Sequence, residues 1–150
     1  MNPDNPISSI MTTKMVTVKP NTPINEIKAV FDKNAFHHIP VIGDGYRLLG
    51  IISKEDFLKF AYLLSLNTTG KTFSQNEYAN LTADKLMTHC PMQLDPDDTI
   101  GLAADIFLAN KFHALPIVED EQLRGIVTTH DLLQFSFNST TIEKESEDYP

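Results

Sequence analysis

The stretch that decides the fold is Gly50–Phe60, GIISKEDFLKF, together with its echo at Gly125–Phe135, GIVTTHDLLQF. In both, an apolar run short enough for a strand meets Ser/Thr-x-x-Asp and then an apolar segment at helical spacing. Ser or Thr followed three residues later by an acid is the pattern of a helix N-cap and its capping box.

The echo extends in both directions. At an offset of 76, Met11 coincides with Met87, Thr12 with Thr88, Pro20 with Pro96, Ile24 with Ile100 and Phe31 with Phe107. Asn34, Phe36, His37, Pro40 and Asp44 likewise meet Asn110, Phe112, His113, Pro116 and Asp120. One residue drops out near Gly45–Tyr46, and at an offset of 75 Leu48, Gly50, Ile51, Asp56, Leu58 and Phe60 match Leu123, Gly125, Ile126, Asp131, Leu133 and Phe135. Identities held in register with one gap in a turn mark a tandem duplication.

Each unit reads as a short helical turn (ISSIM; ADKLM), a brief extended stretch (KMVTV; PMQLD), a helix, two strands joined by a turn, and a last helix. Ile24, Ile27 and Phe31 form one face of the first helix, and Ile100, Ala103 and Phe107 repeat it. Thr22 is its expected cap with Pro23 at the first helical position, and Asp98 is the expected cap in the second unit. The strands are HHIPVI and HALPIV, then Leu48–Ile52 and Leu123–Val127, with turns at Gly43–Gly45 and Glu119–Glu121. The result is α+β, β-α-β-β-α twice. So small a sheet needs a cover, which predicts two copies packed about a pseudo-two-fold axis. The expected boundaries are repeat 1 at 7–66, a polar linker at 67–81, repeat 2 at 82–135 and an acidic flexible tail at 136–150. Gly70-Lys71-Thr72 in the linker is no phosphate loop, because Ser65 stands where the pattern needs Gly and no strand precedes it.

The helix from Glu55 is apolar nearly all round: Phe57, Phe60, Ala61 and Leu64 on one stripe, Leu58, Tyr62, Leu63 and Leu66 on another. Leu132, Leu133, Phe135 and Phe137 give a milder version. Two apolar faces on one helix predict a homodimer. The 150 residues carry a net charge of −8, which argues against nucleic acid or anionic membrane as the partner while leaving room for a local anion pocket. One cysteine, Cys90, and the absence of an export signal or a bilayer-length apolar run point to a cytoplasmic protein without disulfides. His37-His38 lack carboxylate or thiolate neighbours at ligand spacing, so no metal is expected.

MTTK…HIPVI…LLGIISKEDF and MTHC…ALPIV…LRGIVTTHDL resemble the CBS domain, and the tandem resembles a CBS pair, or Bateman module, from about Ile7 to Phe135. The likeness is to free-standing bacterial CBS-pair proteins. It implies a regulatory module, not an enzyme, whose clefts bind an adenosyl ligand: AMP, ADP, ATP or S-adenosylmethionine. It places Asp56 and Asp131 on the ribose, with Ser53, Lys54, Thr128 and Thr129 beside them at the helix starts, where free N–H groups receive phosphate. It adds Met92, His113 and His37 to the Asp56 cleft, and Val16, His37 and His113 to the Asp131 cleft. Relatives often carry Arg after the matched His; here His38 and Ala114 stand there. Few fixed cations favour AMP or ADP over ATP. The alternative is a ligand-free scaffold in which both acids only cap their helices. No activated nucleophile accompanies them, so catalysis is not expected.

Overall fold

A computed structural model of the chain describes residues 2–66 and 80–137. Residues 67–79 of the expected 67–81 linker, Gly70-Lys71-Thr72 among them, and the tail from residue 138 lie outside the described residues.

The duplication is written into the backbone. Repeat 1 gives α1 (Ile24–Lys33), β1 (His38–Ile42), β2 (Leu48–Ser53) and α2 (Lys54–Leu66). A short α3 (Ala83–Leu86) and β3 (Thr88–His89) follow. Repeat 2 gives α4 (Ile100–Ala109), β4 (Ala114–Glu119), β5 (Gln122–Thr128) and a last helix, α5, described over 129–137. β1–β2 and β4–β5 are antiparallel hairpins whose registers shift at matching places, between Val41 and Ile42 and between Ile117 and Val118. The dropped residue falls in the turns. Asp120 and Glu121 close the second hairpin with φ of 52° and 65°, while the longer first turn takes φ of 66° at Gly45 and 63° at Tyr46.

The molecule divides into two compact units, Met15–Pro91 and Met1–Lys14 with Met92–Pro150. The leading segment of each repeat therefore belongs to the unit built around the other repeat. Its hydrogen bonds are the same twice over. Ile24 N donates to Leu81 O and Ala83 N to Thr22 O, at 2.9 Å each; Ile100 N donates to Asn5 O at 3.0 Å and Ile7 N to Asp98 O at 2.7 Å. Neither expected helix cap is found. Pro23, extended at ψ 154°, stands at the N-cap of α1, and Thr22 Oγ1 accepts instead from Lys19 N at 2.9 Å. Leu81 already serves the Ile24 N–H, so the first turn needs no Thr22 side-chain cap. Thr99 caps α4, accepting from Leu102 N at 3.1 Å, while Asp98 Oδ2 accepts from Asp95 N at 2.8 Å.

Each unit has its own core. In one, Ile24, Ile27 and Phe31 of α1 meet Ile39, Val41, Ile52 and Phe57, with Ala83 from the exchanged segment. In the other, Ile100, Ala103 and Phe107 meet Leu115, Ile117 and Val127, with Ile7 from the exchanged segment. Both helical stripes are buried as the spacing predicts. The extended stretches join by single parallel bridges, Val18 to Val41 and Leu94 to Ile117. On α2, Phe57 is buried, whereas Leu58, Tyr62 and Leu63 are 55%, 64% and 58% exposed. Among the described residues no helix is long and apolar enough to cross a membrane.

Candidate functional site

Two strand-to-helix junctions carry the candidate residues, and the glycine before each has a steric reason. A Cβ on Gly50 would sit 2.8 Å from Thr88 O and against the Met87 sulfur; one on Gly125 would meet Met11 Sδ at 2.7 Å and Thr12 O at 3.0 Å. The repeated Met-Thr crosses each central strand too closely for any side chain.

In the Met15–Pro91 unit, Ser53 ends β2 and its Oγ accepts from Asp56 N at 3.0 Å. This is half a capping box. The Asp56 carboxylate is exposed and has no hydrogen bond or ion pair among the described residues. Lys54 N donates to His37 O at 2.7 Å, which ties the His37 segment to the start of α2. Lys54 is half-buried, His37 exposed, and Glu55 pairs with Lys59 at 3.3 Å. The start of α2 thus presents the positive end of a helix dipole, one cation and one uncommitted carboxylate.

In the other unit the box is closed. Thr128 Oγ1 accepts from Asp131 N at 3.1 Å, and Asp131 Oδ2 accepts from Thr128 N at 3.0 Å. Thr12 Oγ1 adds contacts of 3.3 Å to both carboxylate oxygens, so the half-buried Asp131 is engaged by two residues, Thr128 and Thr12. Thr129 N donates to His113 O at 3.0 Å, the counterpart of the Lys54–His37 bond.

Of the residues foreseen, Ser53, Lys54, Asp56 and His37 come together in one unit, as do Thr128, Thr129, Asp131 and His113 in the other. Val16 belongs to the unit of Asp56 and Met92 to that of Asp131; both are exposed. Thr12 was not among the foreseen site residues. Its only signal in the sequence is the Met-Thr pair at matched positions. Among the described residues no group of three His, Cys, Asp or Glu could hold a metal ion.

The CBS domain family model matches residues 7–62 and again 83–138. The chain belongs to this family and carries the domain twice. The "Uncharacterized 17.7 kDa protein in bps2 3′region" of Acidianus ambivalens is 30% identical over 138 residues, covering 91% of this chain and 76% of that protein. The chain spans only 32% and 14% of two other curated relatives. CBSX2 of Arabidopsis thaliana, solved in complex with AMP, superposes with a TM-score of 0.75 at 24% identity, covering 91% of this chain and 98% of that one. The CBS domain pair of protein MJ0100, in complex with 5′-methylthioadenosine and S-adenosyl-L-methionine, gives 0.74 at 22% identity, covering 91% and 99%. These likenesses show the CBS-pair fold.

Proposed function

We propose that this chain is a non-catalytic regulatory module that senses an adenosyl nucleotide through its two Ser/Thr-x-x-Asp junctions. The observation that carries the reading is the Asp56 carboxylate, exposed and uncommitted at the start of a helix, with Ser53 and Lys54 beside it. A carboxylate accepts from two adjacent hydroxyls, as a ribose presents them, while the Lys54 ammonium and the Ser53 hydroxyl suit a phosphate. The adenosyl ligands of CBSX2 and MJ0100 support the same class.

The charge near Asp56 sets the order within that class. Lys54 supplies one fixed cation, and Glu55, next to it, is an anion. One cation serves one phosphate better than three, so AMP and ADP bind more tightly than ATP. Binding biases the dimer between two shapes only by the difference in affinity for each. The exposed Leu58, Tyr62 and Leu63 face of α2 is the proposed dimer surface. Calorimetry without magnesium tests the order: ATP binding tenfold tighter than AMP overturns it.

One observation favours a second reading, a ligand-free scaffold. The closed box at Asp131 accounts for that acid by capping alone. Thermal-shift measurements with AMP, ADP, ATP and S-adenosylmethionine separate the two. A ligand at about 100 times its Kd stabilises by about 2.7 kcal/mol, and a scaffold shows no shift.

A further inference from the structure

The Met15–Pro91 unit has a second place suited to a ligand, at the opposite end of the β1–β2 hairpin from Ser53. A cavity of about 530 Å³ opens beside the Gly43–Arg47 turn. Five residues of β2 lie between Arg47 and Ser53, roughly 20 Å of strand end to end, so this cavity is distinct from the Asp56 junction. Its volume is in the range of small-molecule sites.

Three donor side chains line it: Lys19, Asn21 and Arg47. Among the described residues none of the three has a side-chain hydrogen bond or ion pair. Arg47 is held in place through its backbone, whose carbonyl accepts from Gly43 N at 2.8 Å. Pro20 and Leu49 form an apolar wall, and Asp44 adds one carboxylate. Two uncommitted cations against one anion stand out on a chain of net charge −8.

The duplicated unit shows that this charge does not come with the fold. At the matching positions Lys19 becomes Asp95, Asn21 becomes Asp97, Gly43 becomes Glu119 and Arg47 becomes Gln122. The one cation there, Arg124, lies 3.9 Å from Glu119. One hairpin end is thus acidic and partly self-paired, the other basic and unpaired.

We infer that the Lys19–Asn21–Arg47 cavity binds the phosphoryl group of a small phosphomonoester. A guanidinium fork, an ammonium and an amide together serve three oxygens, which a phosphoryl group offers and a single carboxylate does not. Asp44 accepts from a hydroxyl or amine on the same molecule and disfavours a second anionic group.

The test is an amide NMR titration of the full chain with inorganic phosphate, against sodium chloride at matched ionic strength. Saturable shifts are expected at Asn21, Gly43 and Asp44. Lys19→Gln and Arg47→Gln should each raise the Kd about tenfold, the loss of one charge-assisted hydrogen bond. Both side chains are exposed, so the spectra of these variants should keep native dispersion. Lys28→Gln, on the exposed face of α1, should leave phosphate binding unchanged. Shifts reproduced by chloride, shifts centred instead on Ser53–Asp56, or an unchanged Kd in Arg47→Gln would each overturn the inference.

Discussion

The junctions at Ser53–Asp56 and Thr128–Asp131 share a pattern and a backbone yet use their acids differently. Thr88 pairs with Ile51 as Thr12 pairs with Ile126, so the register is equal in the two units. The difference lies with the side chains. Asp131 turns back to the Thr128 N–H and meets Thr12, while Asp56 leaves Ser53 to cap alone. A capping motif therefore does not say where its carboxylate is spent. One carboxylate is bonded at its own helix start, and the other makes no bond among the described residues.

The largest expected effect breaks the equal support that the exchanged segments give the two junctions. Ile7 is fully buried in the core of the Asp131 unit, where Ala83 occupies the matching place in the other. Ile7→Ala should cost about 2–5 kcal/mol in urea unfolding. Ala83→Gly, which removes only a methyl group and loosens one helical turn, should cost less, about 1–2 kcal/mol. Equal losses would mean that the exchanged segments contribute alike.

Next in size is the close crossing over the central strands. Gly50→Ala and Gly125→Ala should each cost about 1–3 kcal/mol through overpacking. Gly50 should be the worse, because its Cβ would lie 2.8 Å from a carbonyl oxygen against 3.0 Å at Gly125.

The caps should give smaller and unequal losses. Asp131→Ala removes the acceptor for the Thr128 N–H and for the Thr12 hydroxyl, and should lower stability by about 1–2 kcal/mol. Asp56→Ala removes no bond made within the described residues and should stay within about 0.5 kcal/mol. Matching losses in the two variants would erase the distinction between a closed and an open box.

Much of this was legible in the sequence because it rests on local period and on identity at a fixed offset. The buried stripe Ile24–Ile27–Phe31, the hairpins and the two faces of α2 are set by residue type and spacing. The exchange of leading segments was not legible. It is carried by backbone bonds such as Ile24 N to Leu81 O, and any residue except proline can donate one. The expected caps failed for different reasons: at Thr22 a distant carbonyl had already taken the first helical N–H, and at Asp98 the helix starts one residue later, with Thr99 as its cap. β3 is two exposed residues, too short for a period of two to show. At the site, Ser53, Asp56, Thr128 and Asp131 could be read from their pattern. The second partner of Asp131 could not, since Thr12 lies 119 residues away in the chain.

The most direct measurement of the account's central claim is the affinity of AMP for the native chain and for Asp56→Ala, by isothermal titration calorimetry. Loss of the ribose acceptor should weaken binding by roughly 10–100-fold, in a variant as stable as its parent. Unaltered affinity would contradict the assignment of Asp56 to the ligand.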